Sequence, residues 1–203
     1  TARHTRTEPD VQSRLETYRN LLRDENVRSI SRRYFISNGF DGTLTCIGII
    51  VGSFLGGSQS AMEIVRVVAG GTVGLAASGV WSVWEIERAE KLAELKRVEE
   101  KMLTDLEGTK LHDQKGAARK VNALMSGLGP TIGMLLPIAP YFLVGVALSM
   151  LWATVLGVAI GVGILFAFGA YMGGISEQNW VIAGIRTGAV GIVVGAINIV
   201  LPG

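Results

Sequence analysis

The sequence predicts an all-α, polytopic membrane protein: five transmembrane helices, an N-terminal amphipathic helix and a cytoplasmic acidic helix. The composition supports this, since 49% of the 203 residues are hydrophobic and only 18% are charged. Five apolar runs also come close to or exceed the length of roughly 20 residues that a helix needs to cross a bilayer. The chain contains 27 glycines, many inside these runs, where small residues let neighbouring helices approach closely.

The apolar runs and the polar stretches between them divide the chain into four regions. Residues 1–33 form the amphipathic helix, and residues 85–120 form the acidic helix and a connector. The first two spans lie within residues 34–84 and the last three within residues 121–203. Because Pro137 and Pro140 end a helix, they separate the third span from the fourth. The predicted spans are Tyr34–Leu55, Ile64–Trp84, Val121–Pro137, Tyr141–Met172 and Asn179–Leu201.

The N-terminal region has an apolar stripe surrounded by arginines. Val11, Leu15, Tyr18 and Leu22 follow one another at i, i+4, i+7 and i+11, which is helical spacing. Such a helix can lie on an anionic membrane surface. It can equally pack on the cytoplasmic face of the protein itself, and the pattern leaves both interpretations open.

The distribution of basic residues predicts the orientation in the membrane. Of 19 Lys and Arg residues, eight precede the first span and nine lie in the 85–120 insert. Positively charged segments remain on the cytoplasmic side. We therefore expect an integral membrane protein with a cytoplasmic N-terminus and, after five spans, a C-terminus on the opposite side.

Asp41 is a carboxylate within an otherwise apolar, glycine-rich span. Thr45, Gly48 and Gly52 follow it at i+4, i+7 and i+11, so that the four residues share one helical face. A carboxylate at membrane depth is costly and is typical of an ion or proton path. The alternative is a helix-end residue in the headgroup region, because Asp41 lies near one end of the run.

The helix after the second span is rich in acidic residues. Glu87, Glu90 and Glu94 stand at i, i+3 and i+7, and oxygen ligands on one face could capture a divalent cation. The alternative is a solvated helix stabilised by pairs such as Glu87 with Lys91, with its apolar side against a partner. That second interpretation is favoured by the near balance of acidic and basic residues.

Other classes of function lack support in the sequence. We find no phosphate loop, nucleophile motif or haem motif, so we expect neither an enzyme nor a tightly bound cofactor. Basic residues alternate with acids or flank the membrane, which argues against nucleic-acid binding. His4 and His112 are isolated, and the single cysteine, Cys46, is interpreted as a small buried packing residue.

Four stretches resemble the vacuolar iron transporter (Ccc1-like) family. The chain has Gly-Phe-Asp-Gly-Thr-Leu-Thr at 39–45, similar to the opening of that family's first span. The acidic Glu-Leu-Lys-Arg-Val-Glu-Glu at 94–100 is similar to its acidic helix. Leu-Leu-Pro-Ile-Ala-Pro-Tyr at 135–141 resembles its proline turn, and Phe-Ala-Phe-Gly-Ala at 166–170 resembles its C-terminal end. The resemblance covers about residues 34–203.

The resemblance implies a homodimer in the lipid bilayer with a metal path between the two first spans. It implies export of Fe2+ or a similar divalent ion, such as Mn2+, from the cytoplasm in exchange for protons. Asp41 matches the family's first-span acidic residue, and Thr45 and Ser78 would line the path with it. However, Gly70 and Ser78 stand where the family's second span has Glu and Met. The alternative is therefore a transport-inactive structural or accessory membrane protein with the same dimeric fold.

Overall fold

The computed structural model describes residues 25–58, 60–102 and 110–200. Each of its five long helices is long and apolar enough to cross a membrane, which confirms the all-α polytopic fold. A short 3-10 helix, Ala139–Leu143, lies between the third and fourth. The five long helices are α1 Glu25–Leu55, α2 Ala61–Met102, α3 Lys110–Ile138, α4 Met150–Ile175 and α5 Trp180–Val200.

The helices extend beyond the predicted spans. α1 begins at Glu25 rather than Tyr34. Residues 25–33, which were predicted to belong to a separate N-terminal helix, therefore extend the first span at its N-terminal end. The predicted stripe from Val11 to Leu22 lies outside the described residues. α2 runs from the second span to Met102 without a break, as predicted, because no Gly or Pro interrupts it after Gly79.

The connection between α3 and α4 differs from the prediction. Tyr141 was expected to open the fourth span, but it lies in the 3-10 helix and is buried. Its hydroxyl lies 2.9 Å from the Thr154 hydroxyl on α4. A turn with Gly145 at φ +88° follows, and α4 begins only at Met150, after the Ser149 N-cap. Tyr141 therefore anchors the turn against α4.

α1 is packed most closely on α3, through glycines on both helices. A Cβ atom added at Gly42 would lie 2.6 Å from Pro130 Cα, and one added at Gly133 would lie 2.7 Å from Gly39 O. Either substitution would force the two backbones apart. Cys46 is fully buried beside them and donates from Sγ to the Met134 carbonyl at 3.4 Å, as expected for a packing residue.

The glycine stripe of α5 is buried, whereas that of α2 is not. Gly184, Gly188, Gly191 and Gly195 all face the protein interior, and Thr187 Oγ1 donates to the Leu165 carbonyl of α4 at 3.0 Å. On α2, Gly70, Gly74, Ser78 and Ser82 are exposed. No atom comes within 4 Å of a Cβ built at Gly70 or Gly74. The stripe of α2 is therefore on the outer surface of the protomer.

Candidate metal-transport site

Asp41 lies well inside the apolar part of α1. The helix passes from its arginine-rich start into the apolar run at Tyr34. Asp41 follows seven residues later, which corresponds to about 10 Å along a helix with a rise of 1.5 Å per residue. The predicted carboxylate is therefore within a regular helix rather than in a loop or at a helix end.

The face of α1 that carries Asp41 is left uncovered by the other four helices. Asp41, Thr45 and Gly52 are exposed, and Gly48 is half-buried. Asn198 of α5 borders this face, because a Cβ built at Gly48 would lie 3.5 Å from its Nδ2. We call Asp41, Thr45, Gly48 and Gly52 the open face of α1. In a bilayer this face needs water or a partner protein, since lipid tails cannot solvate a carboxylate.

Ser78 lies at nearly the same depth as Asp41 but on α2. A Cβ at the adjacent Gly79 would lie 3.3 Å from Asn38 Nδ2, and Asn38 is less than one helical turn from Asp41 on α1. Ser78 is exposed, and no hydrogen bond within the described part of the chain joins it to Asp41. The structure thus places Ser78 near the level of Asp41 and Thr45 one turn further along α1, and all three residues are exposed.

Glu87 differs from Glu90 and Glu94, the other two glutamates of the predicted metal-binding face. It is buried, with Tyr34 Oη donating to its Oε1 at 3.4 Å and Lys91 Nζ lying 3.3 Å from its Oε2. Glu90 and Glu94 are exposed. Glu87 therefore joins α2 to α1 through the hydroxyl group of Tyr34.

The predicted metal ligands do not form one preassembled cluster. Within residues 25–58, 60–102 and 110–200, no three His, Cys, Asp or Glu side chains come together in a group that could hold a metal ion. Asp41 is on α1 and the three glutamates are on the extension of α2. Metal binding by Asp41, Glu87, Glu90 and Glu94 remains a prediction.

Sequence reasoning missed several polar contacts between the spans. Ser31 Oγ donates to Asn122 Oδ1 at 2.6 Å, and Asn38 Nδ2 donates to the Ser126 carbonyl at 3.2 Å. The available signal was the spacing of Ser31 and Asn38 at i and i+7, which puts both on one face of α1. Neither residue is a carboxylate, and neither belongs to the small-residue stripes that the sequence pattern indicated. These contacts hold α1 against α3.

The fold and the site together define a helical integral membrane protein with a carboxylate on the uncovered face of its first span. The chain matches the VIT family over residues 84–201. It is also 30% identical over 159 residues to an uncharacterized protein of Methanocaldococcus jannaschii, covering 76% of this chain and 79% of that protein. The chain belongs to the VIT family, the vacuolar iron transporters. Membership indicates metal-ion transport across a membrane as the class of activity.

Proposed function

We propose that the protein exports a divalent metal ion, Fe2+ or Mn2+, from the cytoplasm in exchange for protons. The observation that carries the proposal is the position of Asp41, a carboxylate on the uncovered face of an apolar helix. A carboxylate can bind a proton or a dehydrated cation but not both at once, and this competition is what couples the two fluxes. Ser78 would supply a neutral oxygen atom near the level of Asp41, and Thr45 would supply another one turn further along α1.

The working unit would be a homodimer formed through the open face of α1. A two-fold axis along this face would bring Asp41 of each protomer towards the same path, since a two-fold interface repeats one surface on both subunits. Gly48 and Gly52 would permit close approach of the two first spans. The exposed glycines of α2 would also permit close approach of the partner, because no described atom lies within 4 Å of a Cβ built at Gly70.

The acidic helix would concentrate cations at the cytoplasmic entrance. Glu90 and Glu94 are exposed on the extension of α2, and carboxylates at the mouth of a path raise the local concentration of cations. Glu87 would contribute mainly by holding this extension against Tyr34. Of the three glutamates, Glu87 would therefore anchor the helix, and Glu90 and Glu94 would attract cations.

Proteoliposomes with a pH gradient test the proposal. Wild-type protein should carry Fe2+ or Mn2+, and Asp41→Asn should not, because the amide keeps the shape of the side chain but neither exchanges a proton nor offsets a cation's charge. Glu63→Gln is the matched control. Its carboxylate accepts from Ser58 Oγ at 2.9 Å near the other end of the bundle, so flux should persist. Equal flux in wild type and Asp41→Asn would refute coupling at Asp41.

The dimer is tested separately by Gly52→Leu. A bulky side chain on the open face should separate the two first spans and lower the dimer fraction in detergent. Gly163→Leu is the control, because Gly163 lies on α4 and a Cβ built there meets no described atom within 4 Å, whereas a Cβ at Gly52 makes only an ordinary contact of 3.8 Å with Asn198 Oδ1. An equal dimer fraction in wild type and Gly52→Leu would show that the open face does not form the interface.

The second candidate function is that of a transport-inactive structural or accessory membrane protein with the same dimeric fold. It is favoured by Gly70 and Ser78, neither of which offers the carboxylate or thioether of the resembled family. Absence of flux in wild-type protein across a panel of divalent ions would support it. Recovery of flux in Gly70→Glu/Ser78→Met would then identify these two positions as the cause, because the surface there has room for both side chains.

A further inference from the structure

A cavity of about 610 Å³ opens at the end of the bundle where α1 and α5 begin and α4 ends. Three arginines line it: Arg32 and Arg33 from α1 and Arg186 from α5. The lining includes neither Asp41 nor Ser78, although Ser37, one turn before Asp41 on α1, belongs to it. Its size is within the range of about 300–1,000 Å³ that small-molecule sites occupy.

The described part of the lining carries positive charge only. Among the residues that the structure describes, neither Asp nor Glu lines the cavity, whereas Ser29 and Ser37 add exposed hydroxyl groups. Arg33 lies over the Tyr34 ring, 5.7 Å from its centroid. Several guanidinium groups at a membrane boundary repel one another and repel a divalent cation. An anion bridging them removes that repulsion, and phosphate suits the planar donor geometry of arginine.

The remainder of the lining is apolar and leads along the helices. Ile36 and Phe40 continue from Arg32 and Arg33 along α1, with Met172 of α4 and Ala183 of α5 opposite. A free phosphate ion would make no favourable contact with these apolar side chains, whereas a lipid acyl chain would cover them and remove their surface from water. A second, largely apolar cavity of about 450 Å³ shares Arg32 and Ile36 and is lined by Phe35 and Phe168 on the other side. Arg32 therefore borders two apolar grooves.

We propose that this cavity binds an anionic phospholipid, with the phosphate held by Arg32, Arg33 and Arg186 and an acyl chain against Ile36 and Phe40. Basic pockets between transmembrane helices bind lipid head groups by this combination of charge and apolar contact. The bound lipid would also join the start of α1 to the start of α5, two elements far apart in the sequence.

Delipidated full-length protein in detergent provides the test. Phosphatidylglycerol and phosphatidylcholine with the same chains are titrated in turn, and binding is followed by native mass spectrometry and by the melting temperature. We expect preferential binding of phosphatidylglycerol and a rise in melting temperature. Arg32→Gln/Arg186→Gln should weaken this binding by about tenfold or more, because two charge-assisted contacts are lost. The matched control, Arg88→Gln/Arg97→Gln, removes the same charge from exposed positions on α2 and should bind like wild type.

Other results of these experiments would overturn the proposal. Equal binding of the two lipids by wild-type protein, or equal loss in both double variants, would overturn a specific site. Inorganic phosphate that raises the melting temperature as much as phosphatidylglycerol would show a free-anion site and overturn the lipid assignment. If the double variant fails to fold, Arg186→Gln alone supplies the comparison, since Arg186 is exposed.

Discussion

Asn38 of α1 donates from its side-chain amide to the backbone carbonyl of Ser126 on α3, at 3.2 Å. In a regular helix that carbonyl would accept from the backbone N–H of residue 130, but Pro130 lies inside α3 and has no N–H. Asn38 supplies the missing donor from the neighbouring helix. Unsatisfied backbone groups are costly in a bilayer, so the contact explains how α3 tolerates a proline within its span.

This relationship predicts that Asn38 and Pro130 are energetically coupled. Asn38→Ala should lower the free energy of unfolding by about 1 kcal/mol, the scale of a hydrogen bond between membrane helices. In a Pro130→Ala background the same change should cost less, because residue 130 then donates to the Ser126 carbonyl. The double-mutant cycle is measured by reversible unfolding in mixed micelles, followed by circular dichroism.

Ser82→Ala is the control for this cycle. The Ser82 hydroxyl is exposed and donates within its own helix, to the Gly79 carbonyl at 3.3 Å, so its loss should be close to neutral. Identical costs of Asn38→Ala with and without Pro130 would show that Asn38 does not replace the missing donor. Its other contact, to the Ser126 hydroxyl, would then be the important one.

Two glycine substitutions should differ sharply in their effect on stability. Gly42→Ala places a methyl group 2.6 Å from Pro130 Cα, and overpacking of this kind costs about 1–3 kcal/mol. Gly74→Ala meets no atom within 4 Å and should be neutral or slightly stabilising. Thermal unfolding in detergent measures both. A loss in Gly74→Ala as large as that in Gly42→Ala would contradict the packing of α1 on α3.

The glutamates of the acidic helix should differ in their effects: Glu87 stabilises the fold, whereas Glu90 and Glu94 attract cations. Glu87→Gln should lower the melting temperature slightly, because it removes the partly buried ion pair with Lys91. Glu90→Gln/Glu94→Gln should reduce Mn2+ affinity without changing the melting temperature, and adding Glu87→Gln should lower the melting temperature with little further loss of affinity. Isothermal titration calorimetry gives the affinities. Unchanged affinity in the triple variant would leave the helix as a solvated, partner-packed element.

The orientation is tested by cysteine accessibility in a Cys46→Ala background. We expect Lys96→Cys, exposed on the extension of α2, to react with an impermeant maleimide from the cytoplasmic side only. Ser58→Cys, between α1 and α2, should react from the opposite side, because one span separates the two positions. Labelling of both from one face would contradict the placement of the basic segments in the cytoplasm.

Helical periodicity predicted which residues share a face, but not which neighbour covers that face. The stripes of α1, α2 and α5 look alike in the sequence because each repeats small residues at helical spacing. In the fold, the α5 stripe is buried, whereas Gly70 and Gly74 of α2 are exposed. The glycines of α1 that pack on α3, Gly39 and Gly42, were not part of the stripe we identified. Their importance depends on the position of Gly129 and Gly133 across the interface.

The sequence by itself determined the five spans, the continuous acidic extension of α2, the family likeness and the position of Asp41 within an apolar run. These follow from local composition, because a helix long enough for the bilayer satisfies its own backbone hydrogen bonds. Only the tertiary structure decided that Glu87 is buried beside Tyr34, that Asn38 compensates for Pro130, and that Arg32 and Arg186 line one cavity. Each of these joins residues far apart in the chain, and such distances depend on how the helices pack against one another.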